Sequence, residues 1–155
     1  MNKSYAFGYE ETPTELLSAS DKELVEKAIA IAQDAYVPYS TFHVGAAVRL
    51  ENGVIVTGSN QENAAYPSGT CAERTALFYA NAKYPNVAVQ EMAVVAIYHG
   101  EIQNQISPCG SCRQVMAEVA TRFRPYRVLL VGKDITKILP DNRLLLPFTF
   151  DSSAL

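Results

Sequence analysis

The 155 residues include only three cysteines and two histidines. Three thiols are an odd number and poor material for a disulfide framework; in a reducing compartment a CxxC pair plus a distant cysteine reads as metal-binding or redox-active. No apolar stretch reaches the roughly 20 residues that a membrane helix needs. The N-terminal MNKSYAFGYEETP lacks an apolar core of signal-peptide length, so a soluble, cytoplasmic protein without membrane association is expected. Positive charge is not in excess: 13 Lys and Arg stand against 16 Asp and Glu, a net charge of −3. Nucleic-acid binders normally carry a basic stripe, whereas here Arg122, Arg124 and Arg127 form only a local group, which argues against nucleic acid as a partner. Repeats, low-complexity tracts, linkers and a phosphate-binding loop are also missing. What remains is a chain of single-domain length, 48% hydrophobic and able to bury a core without staples. Residues 1–155 are expected to form one domain, with 1–13 an irregular N-terminal extension stopped by Pro13.

All three cysteines fall in two short motifs. Cys71-Ala72-Glu73 is followed 38 positions later by Pro108-Cys109-Gly110-Ser111-Cys112. Three thiolates around zinc leave a fourth position open, and a metal with an open position is a catalyst rather than a strut. Glu73, two residues from the first ligand, puts a carboxylate beside that position. Thr70-x-x-Glu73 is also formally a capping box, and the two roles compete for one carboxylate. Three thiolates carry more charge than zinc neutralises. Arg74, beside Glu73, and Arg113, beside Cys112, are placed to donate to the sulfurs from behind.

The pattern along the chain is α/β. Ser20-Asp21-Lys22-Glu23 reads as a capping box opening a helix to about Tyr36, which Pro38 ends. Phe42, Val44, Ala46, Val48 and Leu50 alternate as a strand, Asn52-Gly53 reads as a two-residue hairpin turn, and Val54–Ser59 returns. Thr70 to about Ala82 is a second helix and Met92–Tyr98 a strand buried on both faces. A third helix starts at Ser107-Pro108 and runs to about Phe123; Arg127–Val131 and Ile135–Ile138 are strands, with a helical turn over 141–146. The expected architecture is a three-layer α/β/α sandwich with a mixed, mostly five-stranded sheet. Both cysteine motifs lie where a helix begins, at the sheet edge where α/β folds keep their ligands. Helix N-termini favour thiolates there.

The chain resembles the homotetrameric zinc-dependent cytidine deaminases, from roughly Glu23 to Phe150. The resemblance is carried by Ala35-Tyr36-Val37-Pro38-Tyr39-Ser40, Phe42-His43-Val44-Gly45-Ala46-Ala47, Asn60-Gln61-Glu62-Asn63-Ala64-Ala65-Tyr66, Thr70-Cys71-Ala72-Glu73-Arg74-Thr75-Ala76, Ser107-Pro108-Cys109-Gly110-Ser111-Cys112-Arg113-Gln114 and Leu145-Leu146-Pro147-Phe148-Thr149-Phe150. It implies one zinc ion per subunit on Cys71, Cys109 and Cys112, with Glu73 as acid and base. It also implies that Asn60 and Glu62 grip the sugar's 3′-hydroxyl, that Phe42 stacks on the pyrimidine, that Ala72 contacts the substrate, and that Tyr66 helps build the site across a subunit interface. Phe150, or Phe148 in its place, would reach the base of a neighbouring subunit in a homotetramer. The implied reaction is hydrolysis of cytidine and deoxycytidine to uridine and deoxyuridine with release of ammonia, a step of pyrimidine salvage.

Other readings make different demands. A deaminase of a modified cytosine nucleoside or a nucleoside antibiotic would share the metal motif. A structural-zinc interaction module would need a fourth protein ligand, for which His99 is the better candidate and His43 the other. A redox protein would cycle Cys109 and Cys112.

Overall fold

The chain folds around one sheet. A computed structural model describes residues 1–153 and 155. The strands are β1 (Glu10–Pro13), β2 (Phe42–Leu50), β3 (Ile55–Ser59), β4 (Val89–Tyr98), β5 (Glu101–Ile102), β6 (Arg127–Val131) and β7 (Ile135–Leu139). The helices are α1 (Ala19–Ala32), α2 (Ala72–Lys83) and α3 (Gly110–Arg122). The sheet has seven strands rather than five, in the order β1-β7-β6-β4-β2-β3, with β5 paired to β4. Among the described strands β4 and β6 alone pair in parallel; the other strand pairings are antiparallel.

The layers follow from the two-residue period of β4. Met92, Val94 and Ala96 face a cluster with Ala76 and Leu77 of α2 and Met116 and Val119 of α3. Ala93, Val95 and Ile97 face the opposite cluster, with Leu24, Val25, Ala28 and Ala32 of α1. A strand covered on both sides needs apolar residues at every position, which explains the unbroken run at the centre of β4. Helix α1 sits close on β2: a Cβ at Gly45 would lie 2.0 Å from the Ala28 carbonyl oxygen, so only glycine fits there.

Several local expectations are corrected. Residues 10–13 are not irregular; they pair with β7 and close that sheet edge. Long-range pairing decides this strand, and a four-residue segment containing Pro13 gives no local sign of it. The first helix is capped by Ser18, whose hydroxyl accepts from the Asp21 amide at 3.1 Å, and it ends at Ala32 rather than Tyr36. The box at Ser20 does not form, because Ser20 already lies inside the helix; Glu23 instead pairs with Arg49 at 3.0 Å. The hairpin is a three-residue loop over 51–53: the Leu50 amide bonds the Val54 carbonyl and the Gly53 amide bonds the Leu50 carbonyl. Only Gly53, at φ +84°, takes the left-handed conformation, whereas the two-residue turn needs two such residues.

At one end of the sheet a chain of charges crosses the layers. Glu91, buried in β4, accepts from Arg49 at 2.8 Å and Arg127 at 2.7 Å, and Arg127 also grips buried Asp21 at 2.9 Å. The hydrogen bond from Arg127 holds the Asp21 carboxyl below its ordinary 3.8, against the opposing effect of burial. A lowered folded-state value stabilises the protein above 3.8, and the contribution is lost as pH falls through the folded value. Asp21→Asn is therefore expected to lower unfolding free energy by about 2 kcal/mol at neutral pH. Urea titrations should show the gap between variant and wild type narrowing as the pH is lowered towards 3. An equal gap at every pH would mean that the ionised carboxylate is not the stabilising form. Among the described residues, no helix is long and apolar enough to cross a membrane.

Candidate active site

The topology brings the two cysteine motifs together. β3 and β4 are both antiparallel to β2, so they run the same way and end at one edge of the sheet. The chain leaves that edge from β3 into α2 and, through β5, from β4 into α3; the two helices pack side by side. Cys71 is the N-cap of α2 and Cys109 the N-cap of α3, neither using its side chain as a cap. Cys112 lies three residues on from Cys109, one turn along the same face of α3. The helices begin two residues later than the sequence pattern suggests, and Pro108 precedes the cap rather than occupying the first turn.

The three sulfurs converge. Cys71 Sγ lies 3.7 Å from Cys109 Sγ, which lies 3.5 Å from Cys112 Sγ, and all three are within 4.8 Å of one another. Tetrahedral zinc with Zn–S bonds of about 2.3 Å sets its sulfurs about 3.8 Å apart. The donor set and its spacing therefore fit one zinc ion. All three cysteines are free thiols, too far apart for the roughly 2.05 Å of a disulfide. Among the described residues no fourth side chain joins the group. His43 turns its Nδ1 to the Ala32 carbonyl at 3.2 Å, and His99 packs its ring 4.0 Å from Tyr98. A sealed four-ligand site is thus absent from the described residues, and the interaction-module reading loses its main requirement.

Charge is balanced from one side. Arg74 Nη2 donates to Cys71 Sγ at 3.7 Å, and the hydrogen bond from Cys112 followed by Arg74 brings the Cys71 thiol down to about 5. The Cys112 thiol is pushed up, first by its hydrogen bond to Cys71 and then by burial. Arg113 does not reach a sulfur, contrary to expectation. Its guanidinium instead holds the Pro108 carbonyl at 2.7 Å, the Leu145 carbonyl at 2.9 Å and the Ser107 hydroxyl at 2.8 Å.

Glu73 lies in the first turn of α2, buried, and burial chiefly raises its pKa above the ordinary 4.5. It faces a cavity of about 680 Å³ that also exposes Cys71, Cys109, Asn60, Glu62 and Phe42. Thr70 is not the helix cap, so the capping box that competed for this carboxylate does not exist.

Asn60 and Glu62 meet at the cavity wall, each with half of its polar capacity already in use. Asn60 accepts from the Val44 amide at 2.8 Å and donates to the Phe42 carbonyl at 2.9 Å. Glu62 Oε2 accepts from the Tyr39 and Ser40 amides at 2.9 and 3.2 Å, pinning a turn in which Thr41 adopts φ +54°. Each retains a free atom or lone pair for a ligand. Ala72 is buried in the first turn of α2, where backbone N–H groups lack helical acceptors. Tyr66 lines the cavity from an exposed position, with its ring edge-on to Tyr39 at 6.4 Å. Phe150 and Phe148 are both exposed and neither lines this cavity. Sequence reasoning assigned no role to Tyr39, Ile106 or Ser107, which also line it. The signal for Tyr39 and Ser107 was their place inside the quoted motif blocks, while Ile106 had only its position before Ser107.

Comparison with known proteins decides the family. Residues 18–126 match the model for the cytidine and deoxycytidylate deaminase zinc-binding region. The chain belongs to this deaminase family. A cytidine deaminase of Halalkalibacterium halodurans is 47% identical over 98 residues, covering 62% of this chain and 69% of that one. One from Sporosarcina psychrophila is 42% identical over 125 residues, covering 75% and 88%. The crystal structure of a cytidine deaminase from Burkholderia pseudomallei superposes with a TM-score of 0.70 at 40% identity, over 83% of this chain and 98% of the other. The family match starts at residue 18, so β1 and the residues before it lie outside the deaminase zinc-binding region.

Proposed function

We propose that this deaminase acts on cytidine and deoxycytidine, adding water to ring carbon 4 and releasing ammonia to leave uridine and deoxyuridine. The observation that carries this is the junction in one cavity of three sulfurs at zinc spacing, a buried carboxylate, and an Asn–Glu pair with atoms to spare. Zinc held by Cys71, Cys109 and Cys112 supplies Lewis-acid activation of water near neutral pH.

The side chains do the rest. Glu73 takes a proton from the attacking water and gives it to ring nitrogen 3. It then carries the proton of the new hydroxyl to the amine, which leaves as ammonia. Burial favours the first transfer, because a carboxylate whose pKa is raised is a stronger base towards the attacking water. Arg74 offsets the surplus negative charge on Cys71. Asn60 and Glu62 hold the ribose hydroxyls, Phe42 offers a flat apolar face to the pyrimidine, and Ala72 and Tyr66 complete the walls. Phe150 closes the base pocket of a neighbouring subunit in a homotetramer. Residues 1–155 serve one deaminase unit in the cytoplasm.

Purified protein incubated with cytidine, deoxycytidine, cytosine and dCMP should release ammonia from the two nucleosides. Turnover of cytosine alone would overturn the assignment of Asn60 and Glu62, and turnover of dCMP alone would move the enzyme from nucleosides to nucleotides. With a modified cytosine nucleoside added to the set, turnover confined to it would move the enzyme to the antibiotic-deaminase reading.

A further inference from the structure

Gln114 lines no part of the cavity and ligates nothing in the cysteine cluster. It stands two residues after Cys112, and its side-chain Nε2 donates to the Phe150 carbonyl at 2.9 Å. The preceding Arg113 holds the Leu145 carbonyl and, at the same time, the Pro108 carbonyl next to Cys109. Between these two anchors the Thr149 hydroxyl turns back to the Leu146 carbonyl. The segment 145–150 is thus stitched by its backbone to the first turns of α3. Its aromatic rings are not buried in exchange: Phe148 is 97% exposed and Phe150 62%. Leu145 anchors the start of the segment in the core, whereas its far end is held at the Phe150 carbonyl while both rings point outward.

We infer that Gln114 is a positioning residue, which with Arg113 clamps the C-terminal segment to the metal-binding turn and so fixes where Phe150 is presented. The inference rests on the reading of Phe150 as a contact to the nucleoside base. A change at the cysteine turn would move Phe150 with it, because both hang from the same turn of α3. Removing the Gln114 donor frees the tail without touching a cysteine, Glu73 or any residue that lines the cavity.

Two substitutions test this. Gln114→Met keeps the length and removes the donor; Gln114→Lys keeps a donor. For the Met variant, zinc content and thermal midpoint should match wild type. Amide exchange over 147–153 should speed up by about fivefold and KM for cytidine should rise by about the same factor, the worth of one hydrogen bond, with kcat within about twofold. The Lys variant should restore both. Unchanged exchange in the Met variant, or a Lys variant that behaves like it, would overturn the clamp. Faster exchange with an unchanged KM would overturn the link from the clamp to substrate. Exchange reads the clamp even in a protein that releases no ammonia from cytidine, so its failure and failure of the deaminase reading are separate results.

Discussion

Glu73→Gln is expected to keep its zinc and lose activity on cytidine by a factor of about 10² to 10⁴. The substitution preserves size and hydrogen-bonding reach but cannot accept and return a proton. Glu73 is not one of the three converging metal-ligand side chains, so the metal should stay. Nor does it cap its helix, so a loss of activity cannot be blamed on a frayed α2. Burial adds to the argument. A charged carboxylate in this position is disfavoured, and replacing it with a neutral amide should leave the unfolding free energy unchanged or slightly higher. The expected signature is therefore an enzyme as stable as wild type, loaded with metal, and nearly inactive. It is checked by kcat, metal analysis and a denaturation curve on one preparation. Turnover within a few-fold of wild type would remove Glu73 from the proton path.

Local and non-local information divide cleanly in this chain. The site was legible because its residues are few, chemically distinctive and placed at helix starts. Cys71, Glu73, Cys109 and Cys112 could be read from spacing, since a helix fixes what stands three residues away. The core strands were legible from their apolar patterns. The errors fall where a distant partner decides. β1 exists because β7 offers an unpaired edge, which Glu10–Pro13 do not announce. Ser18 rather than Ser20 caps the first helix, and Glu23 pairs with Arg49, 26 residues on. Arg113 ignores the sulfur beside it for the Leu145 carbonyl, 32 residues away. Asn60 and Glu62 gained structural duties on the backbone of β2 and the turn before it, invisible without the fold. Phe148 and Phe150 are legible in the sequence but not in space, because no described residue of the single chain buries them.

Stripping the metal is the second change expected to have a large effect, and it separates function from fold. A strong chelator should reduce cytidine turnover by more than about 10³-fold, since water with its bulk pKa near 16 is a poor nucleophile at neutral pH. Secondary structure should nonetheless survive. The two apolar clusters sandwich the sheet without the sulfurs' help, and of the three cysteines only Cys112 is buried. In zinc fingers the metal replaces a missing core; here the core is present. Circular dichroism of the chelated protein should match that of the loaded one, with a lower thermal midpoint, since zinc binds the folded chain, where three sulfurs converge, more tightly than the unfolded one. Adding back one equivalent of zinc should restore both activity and midpoint. Because the ligands must lose protons to bind, the chelator should act faster as pH is lowered. Cys112→Ala should mimic the stripped enzyme but not be rescued by zinc, and it should be less stable as well, because a buried side chain is lost from α3. If the chelated protein unfolded outright, the metal would be a structural pillar and the separation drawn here would be wrong. If it deaminated cytidine at full rate, the three sulfurs would have no part in the chemistry.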